Sequence, residues 1–379
     1  MSFTTYTKNN SKHGAKISKD VIRRKRGKYG FLRKQELRMY GAIDLGTNNC
    51  RLLIARPTGH GFKVVSSFSR IVRLGEGLSE SRSLSAKAME RTISALAICS
   101  EKLKSLDVVK TRNIATEACR RASNCSEFLA RIEKETGLAF EAITSNEEAR
   151  LAFRGCQPLL NLEQPHALVF DIGGGSTEVI WAKINAENYD ILDVLSLQVG
   201  VVTLAEEYGT NEISNDSYRN MVNEISGQLT SFCSRNRIKQ NIVENNVQML
   251  GTSGTVTTLG AVHLNLNHYD RSLIDGLDLT FEELNYASQK LISLDFQGRS
   301  GMSCIGNERA ELVVPGCAIL DAICHAWPVG RLRVADRGLR EGMLLGLMAE
   351  DGVPVKGNPA ANSQQKNAPT PHKKAGTTV

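Results

Sequence analysis

From residue 38 to residue 78 the chain reads RMYGAIDLGTNNCRLLIARPTGHGFKVVSSFSRIVRLGEGL, where short apolar runs alternate with Gly, Asn and Pro turns. This pattern predicts three consecutive strands joined by tight turns. The next segment, SAKAMERTISALAICSEKLKSLDV, spaces its apolar residues for one buried helical face and predicts a helix. KTRNIATEACRRASNCSEFLARIEKETGL predicts a short strand, a helix capped by Thr116 and a second amphipathic helix. FEAITSNEEARLAFRGCQPLL predicts a strand, then a helix from near Ser145 or Asn146 with Glu147 and Glu148 in its first turn.

At residue 167 the pattern begins again. ALVFDIGGGSTEVIWAKI is strand, glycine turn and strand, and YDILDVLSLQVGVVTLAEEYG adds another strand and a helix start. VQMLGTSGTVTTLGAVHL is an apolar strand running into a Gly/Ser/Thr turn and a helix. LVVPGCAILDAICHAW is helical, and GRLRVADRGLREGMLLGLM is a strand with a closing helix. Aligned on Asp44 and Asp171, AIDLGTNNCRLLIA and VFDIGGGSTEVIWA share apolar-apolar-Asp-apolar-Gly, a polar turn and a second strand. A repeat at domain spacing implies two similar halves facing each other across a cleft. The expected division is a first domain over 39–145 completed by the closing helix 337–350, and a second over 146–336.

Composition adds limits. At 379 residues with 41% hydrophobic and 23% charged positions, the chain is long enough for two cores. No apolar run reaches the ~20 residues of a membrane helix, and the N-terminus lacks a secretory apolar core, so the expected location is cytoplasmic. Nine cysteines without a C-x-x-C are read as reduced core residues, with no zinc or redox motif. The net charge of +7 divides unevenly: residues 1–38 carry +10 and residues 351–379 carry +3, which leaves −6 for the body. Residues 1–38 therefore form a basic arm. Charge runs mostly serve solubility, so a solvated arm is its first reading. Attraction of RNA, acidic lipid or a polyanionic substrate is the second. Residues 351–379, poor in apolar positions, are expected to be a disordered tail.

The repeated turn carries candidate chemistry. Glycines let backbone N–H groups approach an anion, and consecutive amides in such a turn form a donor nest for phosphate oxygens. An aspartate at the strand end suits Mg²⁺, which prefers one or two carboxylates together with phosphate oxygens. A dinucleotide fingerprint is excluded because Glu178 stands where its third glycine belongs, before a strand and not a helix. A Walker A loop is excluded because Gly-Lys occurs only at Gly27-Lys28, with Tyr29 behind it. A tight bulge explains three glycines at one site but not their recurrence. Arg51 lies seven residues after Asp44 as Glu178 does after Asp171, so an arginine fork for phosphate would oppose a carboxylate across the cleft. Hydrolysis also needs a base for water, for which Glu147 and Glu148 are candidates; a first-turn pair favoured by the helix dipole is the ordinary alternative.

These residues resemble the Ppx/GppA phosphatase family, the exopolyphosphatases and guanosine pentaphosphate phosphohydrolases. The resemblance covers roughly residues 40–350, in the order AIDLGTNNCRLLI, VRLGEGL, ATEACRRASN, ITSNEEARLAFRG, VFDIGGGSTEVI, GTSGTVTTL and ADRGLREGMLLG. It implies an α/β fold of two ribonuclease H-like domains, of the actin-like ATPase superfamily, enclosing an interdomain cleft. Glu148 is implied as the base that activates water, with Asp171 and Glu178 placing Mg²⁺ and the nucleophile and Asp44 on the opposing loop. Gly46, Thr47, Asn48, Gly173, Gly174, Gly175, Ser176 and Thr177 would hold phosphates. Arg51 and Arg73 would reach the phosphate chain, and Gly251, Ser253, Gly254 and Thr255 would form a third wall. Thr47 and Asn49 depart from the serines common in the family's first loop, and the pattern ends near residue 350, as in its short two-domain form.

The expected reaction is Mg²⁺-dependent release of a terminal phosphate from polyphosphate or guanosine pentaphosphate. A kinase of the same superfamily and a nonhydrolytic nucleotide-binding switch are the alternatives. Homodimerisation and nucleic-acid contact through the basic arm stay open as partnerships, and no membrane partner is expected.

Overall fold

The computed structural model of the chain describes residues 38–353 apart from 60, 186–187 and 210–212. The basic arm before Arg38 and the tail beyond Val353 lie outside the described residues.

Two sheets organise the fold. The first has the order β3-β2-β1-β4-β5, built from β1 (Met39–Leu45), β2 (Asn49–Thr58), β3 (Gly61–Ile71), β4 (Val108–Ala115) and β5 (Glu141–Ala142). The second, β10-β11-β9-β6-β7-β8, uses β6 (His166–Ile172), β7 (Thr177–Asn185), β8 (Asn188–Leu197), β9 (Val247–Thr252), β10 (Asp278–Thr280) and β11 (Arg331–Ala335). In each sheet a three-stranded antiparallel meander continues through its first strand into two parallel strands. Both halves are thus ribonuclease H-like, the expected actin-like α/β arrangement. β10 has no counterpart in the first half and pairs antiparallel on the outside of β11.

The apolar spacing read in the sequence reappears as buried faces. Helix Ala86–Ser105 starts where the Ser85 hydroxyl accepts from the Ala88 N–H, and it buries Ile93, Leu96, Cys99 and Leu103 against the first sheet. Each such aliphatic side chain contributes roughly 1.5–3 kcal/mol on burial. Helix Asn215–Arg235, on which the sequence reading was silent, buries Met221, Ile225, Leu229 and Phe232 in the core of the second half. Three expectations change in detail. β5 is only two residues long. Thr116 occupies the N-cap of helix Glu117–Arg121, yet its side chain makes no capping bond. Residues 351–353, expected to belong to the tail, are packed on the fold: Asp351 accepts from the Tyr40 hydroxyl at 2.9 Å and Val353 is 4% exposed.

Two helices cross between the halves. Helix Ser145–Cys156 places Ala149, Phe153 and Cys156 in a core with the second sheet. Helix Leu339–Glu350 places Met343, Leu344 and Met348 in a core with β1 and β2 of the first. They pack so closely that a Cβ on Gly155 would strike the Gly338 carbonyl, and one on Gly342 the Leu151 carbonyl. This crossing brings the start of both helices to the cleft. Among the described residues no helix is long and apolar enough to cross a membrane.

Candidate active site

The two repeated turns match atom for atom in their closure. Asp44 pairs with Arg51 across the β1-β2 hairpin, and Asp171 with Glu178 across β6-β7. The Gly46 N–H donates to the Asn49 carbonyl at 2.9 Å, and the Gly173 N–H to the Ser176 carbonyl at 2.9 Å. Turn carbonyls are anchored by the protein: Thr47 O accepts from Gly75, Asn48 O from Val72 and Arg73, Gly173 O from Val201 and Gly174 O from Val202. In a planar peptide the next N–H points the opposite way. The amides of Asn48, Asn49, Gly174 and Gly175 therefore turn away from those anchors, and all four residues line one cavity.

Those glycines serve a second purpose that the sequence did not suggest. A Cβ on Gly175 would stand 2.6 Å from Thr47 Oγ1, and one on Gly174 would stand 3.2 Å from Thr47 Cβ. The bare backbone lets the two turns touch across the cleft, besides exposing amides.

The cavity measures about 370 Å³. Its walls include Asp44, Gly46, Thr47, Asn48, Arg51, Glu148, Asp171, Gly173, Gly174, Gly175, Ser176, Ser253, Gly254 and Thr255 from the sequence reading. Four other residues of that reading are not in the wall. Arg73 lies outside it and pairs with Glu311 at 3.0 Å. The Thr177 hydroxyl donates to the Val199 carbonyl at 2.7 Å. Gly251 sits inside β9 under the Phe170 ring, where a Cβ would meet ring carbon at 2.6 Å. Glu178, 1% exposed, is turned to the hydroxyls of Ser176 and Ser196 at 2.8 and 3.0 Å, and so does not present its carboxylate to Arg51 across an open cleft.

The structure separates the two glutamates of the helix start. Glu147 points outward and pairs with Arg112 at 3.1 Å. Glu148 is 9% exposed, lines the cavity and accepts from Arg120 Nη1 at 2.7 Å. Burial, then the charge of Glu178, pushes the Glu148 carboxyl well above the usual range, against the pull of Arg120. Burial also raises Asp44, and burial together with Asp44 raises Asp171 to about 6. Glu178 rises to about 7, through burial and then Asp171. Four crowded carboxyl groups thus hold protons more tightly than free ones.

Cations come from elements that sequence reasoning left unassigned. Arg309 and Arg340 line the cavity with Arg51, and burial followed by Arg340 lowers the Arg51 pKa, with Arg309 adding to it. Like charges gathered this way suit an anion between them. ADRGLREGMLLG contained the signal for Arg340, since an arginine at a strand-to-helix turn resembles the other anion-facing turns. Arg309 had none, because it follows a short irregular stretch. Ser253 caps helix Gly254–His263 at φ 109, and its buried hydroxyl has no partner. A strained residue with an unsatisfied hydroxyl on a cavity wall has a hydrogen bond to offer a ligand there.

Over most of its length the chain is similar to known proteins. A guanosine-5′-triphosphate,3′-diphosphate pyrophosphatase of Pseudoalteromonas translucida is 30% identical over 318 residues, which is 84% of this chain. The chain spans 61% of the length of that relative. A crystal structure of an exopolyphosphatase from Cytophaga hutchinsonii superposes with a TM-score of 0.73 at 26% identity, over 84% of this chain and 99% of the other. The Aquifex aeolicus member of the Ppx/GppA family superposes with a TM-score of 0.68 at 27% identity, over 83% and 98%. The sequence profile of the Ppx/GppA phosphatase family matches residues 53–351, which takes in the second sheet, the first sheet from within β2 onward and the helix crossing that frames the cavity, and the chain belongs to that family.

Proposed function

We propose that this chain is a Mg²⁺-dependent phosphohydrolase that removes the terminal phosphate of inorganic polyphosphate or of the 5′ triphosphate end of guanosine pentaphosphate. One observation carries the reading: paired amide turns, the arginines Arg51, Arg309 and Arg340 and the buried Glu148 converge on a single cavity. The amides and Arg51, Arg309 and Arg340 bind the phosphate chain and stabilise the charge that develops on its terminal group, where such sites gain most of their rate. Glu148 takes a proton from water as the oxygen attacks phosphorus and the bridging P–O bond breaks. The contact of Thr47 with Gly175 closes the cavity over the phosphates and limits entry of bulk water.

The donor set fits a magnesium ion. Among the described residues no three His, Cys, Asp or Glu groups form a ready cage. Asp44 and Asp171 instead form a two-carboxylate set in which the Asp44 charge disfavours ionisation of Asp171. Such a set suits Mg²⁺, which keeps several waters and takes further ligands from phosphate. When bound there, the ion would neutralise phosphate charge.

Purified protein should release inorganic phosphate from polyphosphate with Mg²⁺ and no acceptor. Release only with an acceptor present would favour a kinase. Glu148→Gln should lose at least ~100-fold in turnover while still binding substrate, and near-normal turnover would remove Glu148 from the mechanism.

A further inference from the structure

Beside Glu148 stands a second carboxylate that the hydrolytic reading does not use. Glu117 opens helix Glu117–Arg121 at the end of β4, lines the cavity and is 3% exposed. Its Oε2 accepts from Arg120 Nε at 3.0 Å and Nη2 at 2.6 Å. The remaining nitrogen, Nη1, donates to Glu148 Oε2 at 2.7 Å and to the Ile143 carbonyl at 3.1 Å. One guanidinium thus holds both glutamates. The second oxygen, Glu117 Oε1, is buried with no hydrogen-bond partner. Leaving such an acceptor empty costs roughly 1–3 kcal/mol or more. Its side chain also runs under the phosphate turn, since a Cβ on Gly175 would stand 3.1 Å from Glu117 Cγ.

A buried acceptor with a free lone pair, fixed next to a base and below an anion cradle, suits a small donor at that point. We propose that Glu117 is a further catalytic residue, whose Oε1 accepts a hydrogen bond from the attacking water and orients it toward the terminal phosphorus. Water has two protons. One goes to Glu148 as the O–P bond forms, and the other stays on oxygen, bonded to Glu117, and leaves with the product phosphate. The bridging oxygen departs with the shortened chain. Arg120 fixes the spacing of the two carboxylates, so that the water meets both in one geometry.

This proposal rests on the hydrolytic reading. Wild type, Glu117→Gln and Glu117→Ala are compared for phosphate release from polyphosphate with Mg²⁺, with melting temperature and substrate affinity measured on each. The expected result is a loss of about 100-fold in kcat for both variants with KM changed little. Added formate, small enough for the vacated space, should restore part of the Glu117→Ala rate. Variants within about threefold of wild type in kcat overturn the role of Glu117 and leave the hydrolase reading intact. A loss confined to KM, or one that formate does not relieve, assigns Glu117 a structural part and also overturns it. An inert wild type takes down the hydrolytic reading, and this inference with it.

Discussion

Replacing Glu178 by glutamine tests the electrostatics of the site without an activity assay. The change keeps the shape and keeps an oxygen to accept from Ser176 and Ser196, which both bond Oε1. It removes only the ionisation. In the fold the carboxyl titrates near 7, against an ordinary 4.5, because it is buried and faces Asp171. Each tenfold change in proton affinity is worth about 1.4 kcal/mol. Below pH 4.5 Glu178 is protonated in both folded and unfolded chains and contributes no pH dependence. Between 4.5 and 7 the folded chain holds the proton and the unfolded chain has lost it, so stability falls as pH rises. Above 7 the full cost of about 3 kcal/mol is present. Urea unfolding of wild type and Glu178→Gln, with chelator present, should give a stability difference near zero at pH 4.5. By pH 8 the variant should be the more stable by about 3 kcal/mol. A difference that is the same at both values would show that Glu178 ionises normally and that burial and the neighbouring Asp171 do not perturb it.

Other consequences can be measured separately. Because burial raises Glu148, kcat should climb with pH through a midpoint above 4.5, and a flat profile down to pH 4.5 would exclude its role as base. Gly175→Ala should force the turns apart and lower kcat/KM by about tenfold or more, with partial recovery on adding Thr47→Gly; unchanged kinetics would deny that turn contact matters. Arg309→Ala and Arg340→Ala should each raise KM for polyphosphate by about tenfold at low salt, less at high salt, and salt-independent effects would remove the charge argument. Arg73→Ala should change KM less than about threefold, since the side chain sits in an exposed pair outside the cavity wall; a large effect would return it to the site.

The strand and helix order was legible in the chain because it depends on local spacing. Short apolar runs around Asp44 and Asp171, and the helical stripe from Ala86, carry their own geometry. The recurrence of Asp-x-Gly revealed the two halves, because a backbone that must turn and expose amides leaves few choices of residue. Other features depended on distant partners. Nothing local distinguishes Glu147 from Glu148; their fates follow from which one faces Arg120 and which Arg112. Glu178 matched its motif but was carried under its turn by the pairing of β6 with β7 and β7 with β8. Arg309, Arg340 and Glu117 reach the cavity from elements far apart in sequence, brought together by the packing of two helices against opposite sheets. Periodicity reports the face a residue presents. Which charges share a low-dielectric space is a property of the assembled cleft, and there the tertiary structure alone decides.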